Sequence, residues 1–566
     1  MADSLRQRHQ RRLEDLKSKR TRWESHWQDL ADYIAPKRFR KNDTDDERAG
    51  DKARNRIVDN AGGFALRTLA SGLHSGITSP ARPWFRLTTM DPELREVGSV
   101  KSWLQITETR MRQVMGSSNM YNSFHTGYGD LGLFGQSAAL MYRDPVDYIA
   151  MQQLVHGEFW LANDHRGRAA TLYRRCRMTA EQMVGRFGYN NVSLSVRNMY
   201  DKGNKDERVT VYHAIEKRME RDPNLPNKKN MPFLSNYWED GSDSDKLLEE
   251  SGFKDNPIIA PRWSVVGNDD YGQSPGMEAL PDVKMLQKEQ TQKLEGIDKI
   301  VRPPMKGPTS LKNEPKSLLP GSITYVDDPN GNGFTPVMQV NLRLGELAAD
   351  IQETRERVNR AFYADLFLML ANMEGIQPRN QLEISERKEE KLLALGPVLE
   401  RLYAEQLNPA IDITFNAMME AGILPEPPRE LQEDGARDLN VDFISTLAQA
   451  QKAVSTGSIE RVAGFIGNLA GGKPEVLDKF DADQAVDEYA DMVGVPPSII
   501  LSDERVAEIR KQRLEQAQQQ QQMQQTAAMA PALKDGAQAA QILAQTDAGG
   551  GGSVGDLLAN LGIAGG

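Results

Sequence analysis

The chain has 566 residues, 39% of them hydrophobic and 27% charged, with a net charge of −10 and a mean hydropathy of −0.58. That length supplies several domains' worth of core, and the acidic balance argues against a DNA-condensing protein, which gains affinity by neutralising phosphates with Lys and Arg. The lone Cys176 excludes an internal disulfide framework and a cysteine-based zinc site, so a reducing cytoplasm is the expected place of assembly.

Met1-Ala2-Asp3-Ser4 leads into basic rather than apolar sequence, so no secretory signal is expected. In chain order, residues 4–34 read as a helix. Leu5, Leu13, Leu16, Trp23, Trp27, Leu30 and Ile34 fall on one stripe, the Arg and Lys residues lie opposite as a solvated face, and Pro36 closes the helix. A second helix is expected over 56–77, ending at Pro80 and Pro83. Ser99 is placed as the N-cap of a third reaching Met115, and a fourth covers 122–140. The texture then turns to β. Segments 159–162 and 170–173 flank an Asn/Asp/Arg/Gly turn as a hairpin, 209–215 and 233–238 are further strands separated by a loop at 222–232, and 257–266 is extended.

Helix returns at 281–301. Val283, Leu286, Leu294, Ile297 and Val301 make a narrow stripe on a helix about 30 Å long, which Pro303-Pro304 ends. A Pro/Gly/Lys-rich stretch with a short strand at 322–326 precedes a second long helix, 342–371, striped by Leu344, Leu347, Ile351, Val358, Phe362, Leu366 and Met369. Narrow seams suit helices that pack against neighbours in a bundle or ring, although on the stripes alone a long helical hairpin inside one domain is the simpler reading. Gly375 and Pro378 break the helix. A long helix restarts near Ser385 and runs to about Ala421, with kinks at Gly396-Pro397 and Pro409. Short helices follow at 441–454, 459–469, 483–493 and 503–525, before an Ala/Gln/Gly-rich tail, 526–566, read as disordered. The most apolar stretch, 366–371, is far shorter than the roughly 20 residues of a membrane span, so no membrane contact is expected.

Catalysis finds no foothold. Gly272-Gln273-Ser274-Pro275-Gly276 matches G-x-S-x-G formally, but the residue after the serine must donate its N–H to an oxyanion, and Pro275 has none. The motif reads instead as a turn before a helix. His156-Gly157-Glu158 lacks the P-C-x-x-C partner of zinc deaminases, no Walker A loop is present, and the seven histidines show no ligand spacing. The expectation is a non-enzyme without metal or other cofactor.

Several stretches together, in order, resemble the portal or head-to-tail connector family of short-tailed bacteriophages (podoviruses): LGLFGQSAALMYRD (131–144), GEFWLANDHRGRAATLYRR (157–175), APRWSVVGNDDYG running into YGQSPGMEALPDVKMLQKEQ (271–290), LGPVLERLYAEQLNPAID (395–412) and LPEPP (424–428). The resemblance covers about 5–513 and leaves out the tail. It implies a mixed α+β, predominantly helical portal fold with wing, stem, clip and crown. The wing would take 1–280, stem helices 281–301 and 342–371, the clip 302–341, a tunnel loop 372–384, a long wing helix 385–440 and a helical crown 441–525. Stem packing would rest on Val283, Leu286, Leu294, Ile297, Leu347, Ile351, Val358 and Phe362. Arg302, Lys306, Lys312 and Lys316 of the clip would dock the terminase large subunit and later the tail adaptor protein. Asn372, Gln377, Arg379, Asn380 and Gln381 would line the tunnel and touch double-stranded DNA without sequence preference. The implied assembly is a homo-oligomeric ring, a dodecamer, at one capsid vertex of the virion, contacting the major capsid and scaffolding proteins. An acidic wall suits such a conduit, because strong phosphate contacts would stall sliding. Two other readings stay open: a helical phage scaffold or adaptor without a DNA channel, and a degenerate phage nuclease or hydrolase.

Overall fold

The computed structural model describes residues 4–41, 56–91, 94, 97–222, 224–225, 227–241, 245–303, 305–306, 335–336, 343–371, 395–433, 439–493, 501 and 505–520. Contacts divide the chain into two units, Met1–Phe480 and Asp481–Gly566.

In the first unit, helix α1 (Leu5–Ile34) opens with a capping box in which Ser4 and Gln7 satisfy each other's backbone N–H groups. The expected apolar stripe is its inner face, but the solvated reading of its basic residues needs correction. Arg6 and Arg20 are buried, Arg20 donating to Glu24 (2.9 and 3.1 Å) and to the carbonyls of Gly157 (3.0 Å) and Phe159 (2.5 Å) with its guanidinium 4.3 Å from the Trp160 ring centre. A buried guanidinium persists only when its donors are spent this way. Helix α2 (Ala61–Ile77) starts five residues later than its apolar pattern implied, where the Asp59 carboxylate accepts the Ala61 N–H (2.8 Å). Helix α3 (Gly98–Ser117) begins one residue before the serine expected to cap it. Helix α4 (Met120–Phe134) stops well short of Leu140 because Gly135 turns left-handed (φ 81°). The apolar run beyond becomes strand β2 (Ala139–Asp144), paired with β3 (Tyr148–Gln153) and β9 (Ile258–Ile259).

The expected hairpin is β4 (Phe159–Asn163) and β5 (Ala169–Thr179), with Trp160 opposite Tyr173. It extends through β6 (Arg208–Lys217), β7 (Phe233–Glu239) and β8 (Glu249–Phe253) into a five-stranded antiparallel sheet in chain order. Two short helices, α5 (Ala180–Phe187) and α6 (Leu194–Asp201), cover one part of it, and Leu13 and Leu16 of α1 pack on Trp160, Tyr173 and Trp238 at another. Strand β1 (Phe85–Thr89) pairs with the distant β12 (Leu439–Phe443), a register that local periodicity does not foreshadow.

Helix α7 runs over Pro275–Val301, six residues longer at its start than expected. Pro281, expected to begin the helix, lies inside it. Burial of Ala279, Leu280 and Val283 around Pro281 offsets the lost backbone hydrogen bond. Beyond it β10 (Met305–Lys306) pairs with β11 (Thr335–Pro336). The second long helix is interrupted: α8 (Leu344–Ala361) and α9 (Ala364–Ala371) meet at Tyr363, whose φ of 55° is costly for a non-glycine residue. Burial of Phe362 and packing of Tyr363 against Trp263 (5.9 Å between ring centres) hold that break. Helix α10 (Gly396–Leu402) passes through a π turn (Tyr403–Leu407) into α11 (Asn408–Glu420), the irregularity falling just before Pro409, which has no N–H to give. After α12 (Arg429–Glu433) and β12, helix α13 (Thr446–Ala470) is one element where two were expected, and it begins after the strand that takes Val441.

The second unit contains α14 (Ala482–Val493) and helical residues 505–520, tied by Arg510 to Asp483 (2.6 and 2.8 Å). The tail 526–566 lies outside the described residues.

Candidate assembly and channel site

Four of the five stretches that carry the family resemblance are far apart in sequence and meet at the start of α7. Ser274 is its buried N-cap: Oγ accepts from the Met277 N–H (3.0 Å) and donates to the Leu133 carbonyl (2.7 Å). Gly135 and Gly272 are in backbone contact, so close that a Cβ on Gly135 would stand 2.3 Å from the Gly272 carbonyl oxygen. Tyr271, buried against Trp27 (5.1 Å), accepts the Leu161 N–H through its hydroxyl (3.2 Å), and burial raises that phenol to about 12. Arg262 reaches into the long helix behind. Its guanidinium grips Glu405 (Nη2 to Oε1 2.6 Å, Nε to Oε2 3.3 Å) and also donates to the carbonyls of Gly167 (2.5 Å) and Asp269 (3.1 Å). Both partners are almost fully buried, so this planar, fully hydrogen-bonded pair locks hairpin, turn and helix together.

From that root α7 and α8 pack side by side. A second polar knot fixes them to the start of α2. The Asp59 carboxylate accepts from Arg355 of α8 (2.6 and 3.2 Å) and from Gln290 of α7 (2.9 Å), while Gln287 accepts the N–H groups of Val58 (2.6 Å) and Asp59 (2.8 Å) and donates to the Asp59 carbonyl (2.8 Å). The seam has two regimes. Near the root, Val283, Leu286, Ile351, Val358 and Phe362 are buried within the chain. Farther out Ile297 and Leu347 are half-buried, and Leu294, Val301 and Leu344 are 57%, 69% and 41% exposed.

Residues with catalytic overtones have structural surroundings. The His156 ring stacks on Phe134 (4.2 Å) with Trp27 edge-on (4.6 Å), and burial pushes its pKa well below the usual value. A cleft of about 740 Å³ between α11 and the β1–β12 pair has no Ser, Thr, Cys or His in its lining among the described residues. Among the described residues, no group of His, Cys, Asp and Glu is arranged to hold a metal ion, and no helix is long and apolar enough to cross a membrane.

The family described as "Bacteriophage head to tail connecting protein" matches residues 6–501. The chain belongs to this family. It is 46% identical over 535 residues to the "Probable portal protein" of Bordetella phage BPP-1, covering 94% of each chain. It is also 46% identical over 540 residues to the "Portal protein" of Salmonella phage epsilon15, covering 95% of this chain and 96% of that one. A chain in a structure titled "Virion of native gene transfer agent (GTA) particle" aligns with a TM-score of 0.32 and 11% identity over 77% of this chain and 90% of that one.

For a connector, the expected contact residues divide sharply. The eight residues assigned to helix packing all lie on the α7–α8 pair or the bend that ends it. Arg302 caps α7 at its far end, Lys306 is in β10, and Lys312, Lys316, Asn372, Gln377, Arg379, Asn380 and Gln381 lie outside the described residues. Sequence reasoning missed Arg262, Glu405, Asp59 and Arg355. Arg262 stands in an apolar stretch (Ile258 to Trp263), the only sequence signal that its charge needed a partner.

Proposed function

We propose that this chain is a portal subunit, one copy of a ring at a single capsid vertex through which double-stranded DNA enters the head during packaging and leaves at ejection. The observation that carries the reading is 46% identity to two phage portal proteins over nearly the whole chain. The half-covered seam of α7 and α8 supports it, since Leu294, Val301 and Leu344 are left largely exposed among the described residues and a neighbouring copy would supply cover. In this proposal α7 and α8 are the stem, 302–341 is the clip that docks first the terminase large subunit and then the tail adaptor, and 372–384 is the tunnel loop. Helix α10, its π turn and α11 belong to the long wing helix, which ends at Glu420 rather than running to 440, and the helices after β12 belong to the crown. The ring is a dodecamer assembled in the host cytoplasm with scaffolding and major capsid proteins. It has no chemistry of its own, and the packaging energy comes from a separate ATPase. Many weak phosphate contacts let DNA slide yet remain held, and Arg379 is the main cation among them.

Electron microscopy of the purified chain tests the proposal. Closed rings with an axial opening are expected, whereas a monodisperse compact monomer at assembly concentrations refutes it. Arg379→Glu should leave rings intact and change DNA retention in filled heads; unchanged packaging and retention would remove that residue's assignment.

A further inference from the structure

Polar contacts fix the register between α7 and α8. Asp59 takes both Gln290 of α7 (2.9 Å) and Arg355 of α8 (2.6 Å), and nearer the root Asp282 takes Arg357 (3.3 Å). The helices therefore run antiparallel, and each step out along α7 is matched by a step back along α8. That puts Lys288 at the level of Glu356, Leu294 near that of Ala348 and Val301 at that of Leu344. All six are exposed. Counted from Asp282 and Arg357, each is turned more than about a quarter turn away from the other helix of its own chain. They belong to the two outer edges of the pair. Lys288 has no carboxylate partner among the described residues, since Lys284 one turn back takes Asp29 (2.6 Å), and Glu356 accepts from the uncharged Gln352 (3.3 Å). The fold thus leaves a cation, an anion and three apolar side chains on these edges.

A closed ring relates its copies by rotation about one axis, with no shift along it. With the helix pair standing along that axis, groups at one level in one copy meet groups at the same level in the next. The α7 edge of one copy and the α8 edge of its neighbour are complementary at each of these levels: lysine to glutamate, leucine to an alanine small enough to receive it, valine to leucine. We propose that α7 of one copy packs beside α8 of the next, with Lys288 paired to Glu356, Leu294 seated over Ala348 and Val301 against Leu344. This rests on the ring proposed above and names the surface by which its copies meet. Apolar burial gives the contact its strength, and the ion pair sets its level and direction, because copies docked α7 to α7 would set lysine against lysine.

Charge exchange tests the pairing. Lys288→Glu and Glu356→Lys should each raise the protein concentration needed for rings by at least about ten-fold, because each sets like charges together at every interface. Both substitutions in one chain restore the pair and should bring that concentration back to within about three-fold of wild type. Recovery in the double variant also separates a lost contact from a damaged subunit. A second measurement needs no charge change. Leu294→Cys with Ala348→Cys, in a Cys176→Ser background, should be joined by a short bismaleimide into covalent ladders reaching the full ring, while either new cysteine alone should give no ladder. Wild-type rings whose assembly ignores the charge reversals, a double reversal no better than the single ones, or crosslinks confined within one subunit would each overturn this packing and leave the ring itself standing. A wild type that never closes rings overturns both.

Discussion

The two halves of the α7–α8 pair share one apolar pattern and meet different fates. At the root, Val283, Val358 and Phe362 disappear into a core built by α2, α4 and the aromatic cluster around Trp27. Toward the far end, Leu294, Val301 and Leu344 stand in the open. Periodicity therefore says which face of a helix is apolar and is silent on what covers it. In the root half the cover is intramolecular, as in a helical hairpin inside one domain. Only the far half leaves apolar side chains for another copy to cover in the proposed ring.

The comparison breaks most visibly under truncation at the root. Phe362→Ala removes a fully buried ring at the bend between α8 and α9 and should cost about 3–5 kcal/mol, read as a large drop in the thermal or urea midpoint of the subunit. Next in size, Glu405→Ala leaves the Arg262 guanidinium buried without its counter-ion and should cost about 3 kcal/mol, while Arg262→Met with Glu405→Leu together should recover much of the loss. If Glu405→Ala is neutral, the root is not the rigid half.

Those two residues also mark where sequence legibility ended. The helices α1, α7 and α8 and the strands β4 to β7 were readable because their signals are local: a capped 3.6-residue stripe, or apolar runs around a turn-rich loop. The start of α7 was misplaced because Pro281 looks like a helix opener, and only the tertiary cover of Ala279 and Leu280 explains its interior position. The run after Gln136 was read as helix because a short apolar stretch fits either period; Gly135 in a left-handed turn against Gly272 decided it. The Arg262–Glu405 pair, the Asp59 knot and the β1–β12 ladder join residues more than a hundred positions apart, and no local pattern encodes such pairings. The family resemblance was legible for a related reason: all its motifs but LPEPP are segments that converge on the start of α7.

Acid should also discriminate between the halves. His156 lies in the aromatic cluster behind the root, and His213 is buried in the sheet, where Arg174 donates to its Nδ1 (3.1 Å). Burial holds both well below the ordinary histidine value, so both are neutral in the fold. An unfolded histidine takes its proton near pH 6.5, so the unfolded chain binds more protons below that point. Their contribution to stability is therefore complete above about pH 6.5 and is lost as pH falls, at up to about 1.4 kcal/mol per pH unit for each. Neither ring nitrogen of His156 has a hydrogen-bond partner among the described residues. His156→Phe should accordingly keep the fold at pH 7 and make the loss of stability between pH 6.5 and 5.5 shallower. An unchanged acid limb would mean that His156 is reached by water.

The smallest effect on the subunit itself is expected at the far end. Leu294→Gln with Val301→Gln exchanges apolar for polar groups at positions already in solvent, so the denaturation midpoint of the isolated subunit should move by no more than about 0.5 kcal/mol equivalent. Assembly should respond very differently. Each substitution puts a polar amide where a neighbouring copy would have to desolvate it, and the penalty recurs at every interface of a ring. Mass photometry should show the double variant shifting from rings to monomers at concentrations where wild type is assembled. Rings of unchanged stability would show that the far half of the seam faces solvent in the assembly as well, and the contrast between the two halves would then say nothing about how copies meet.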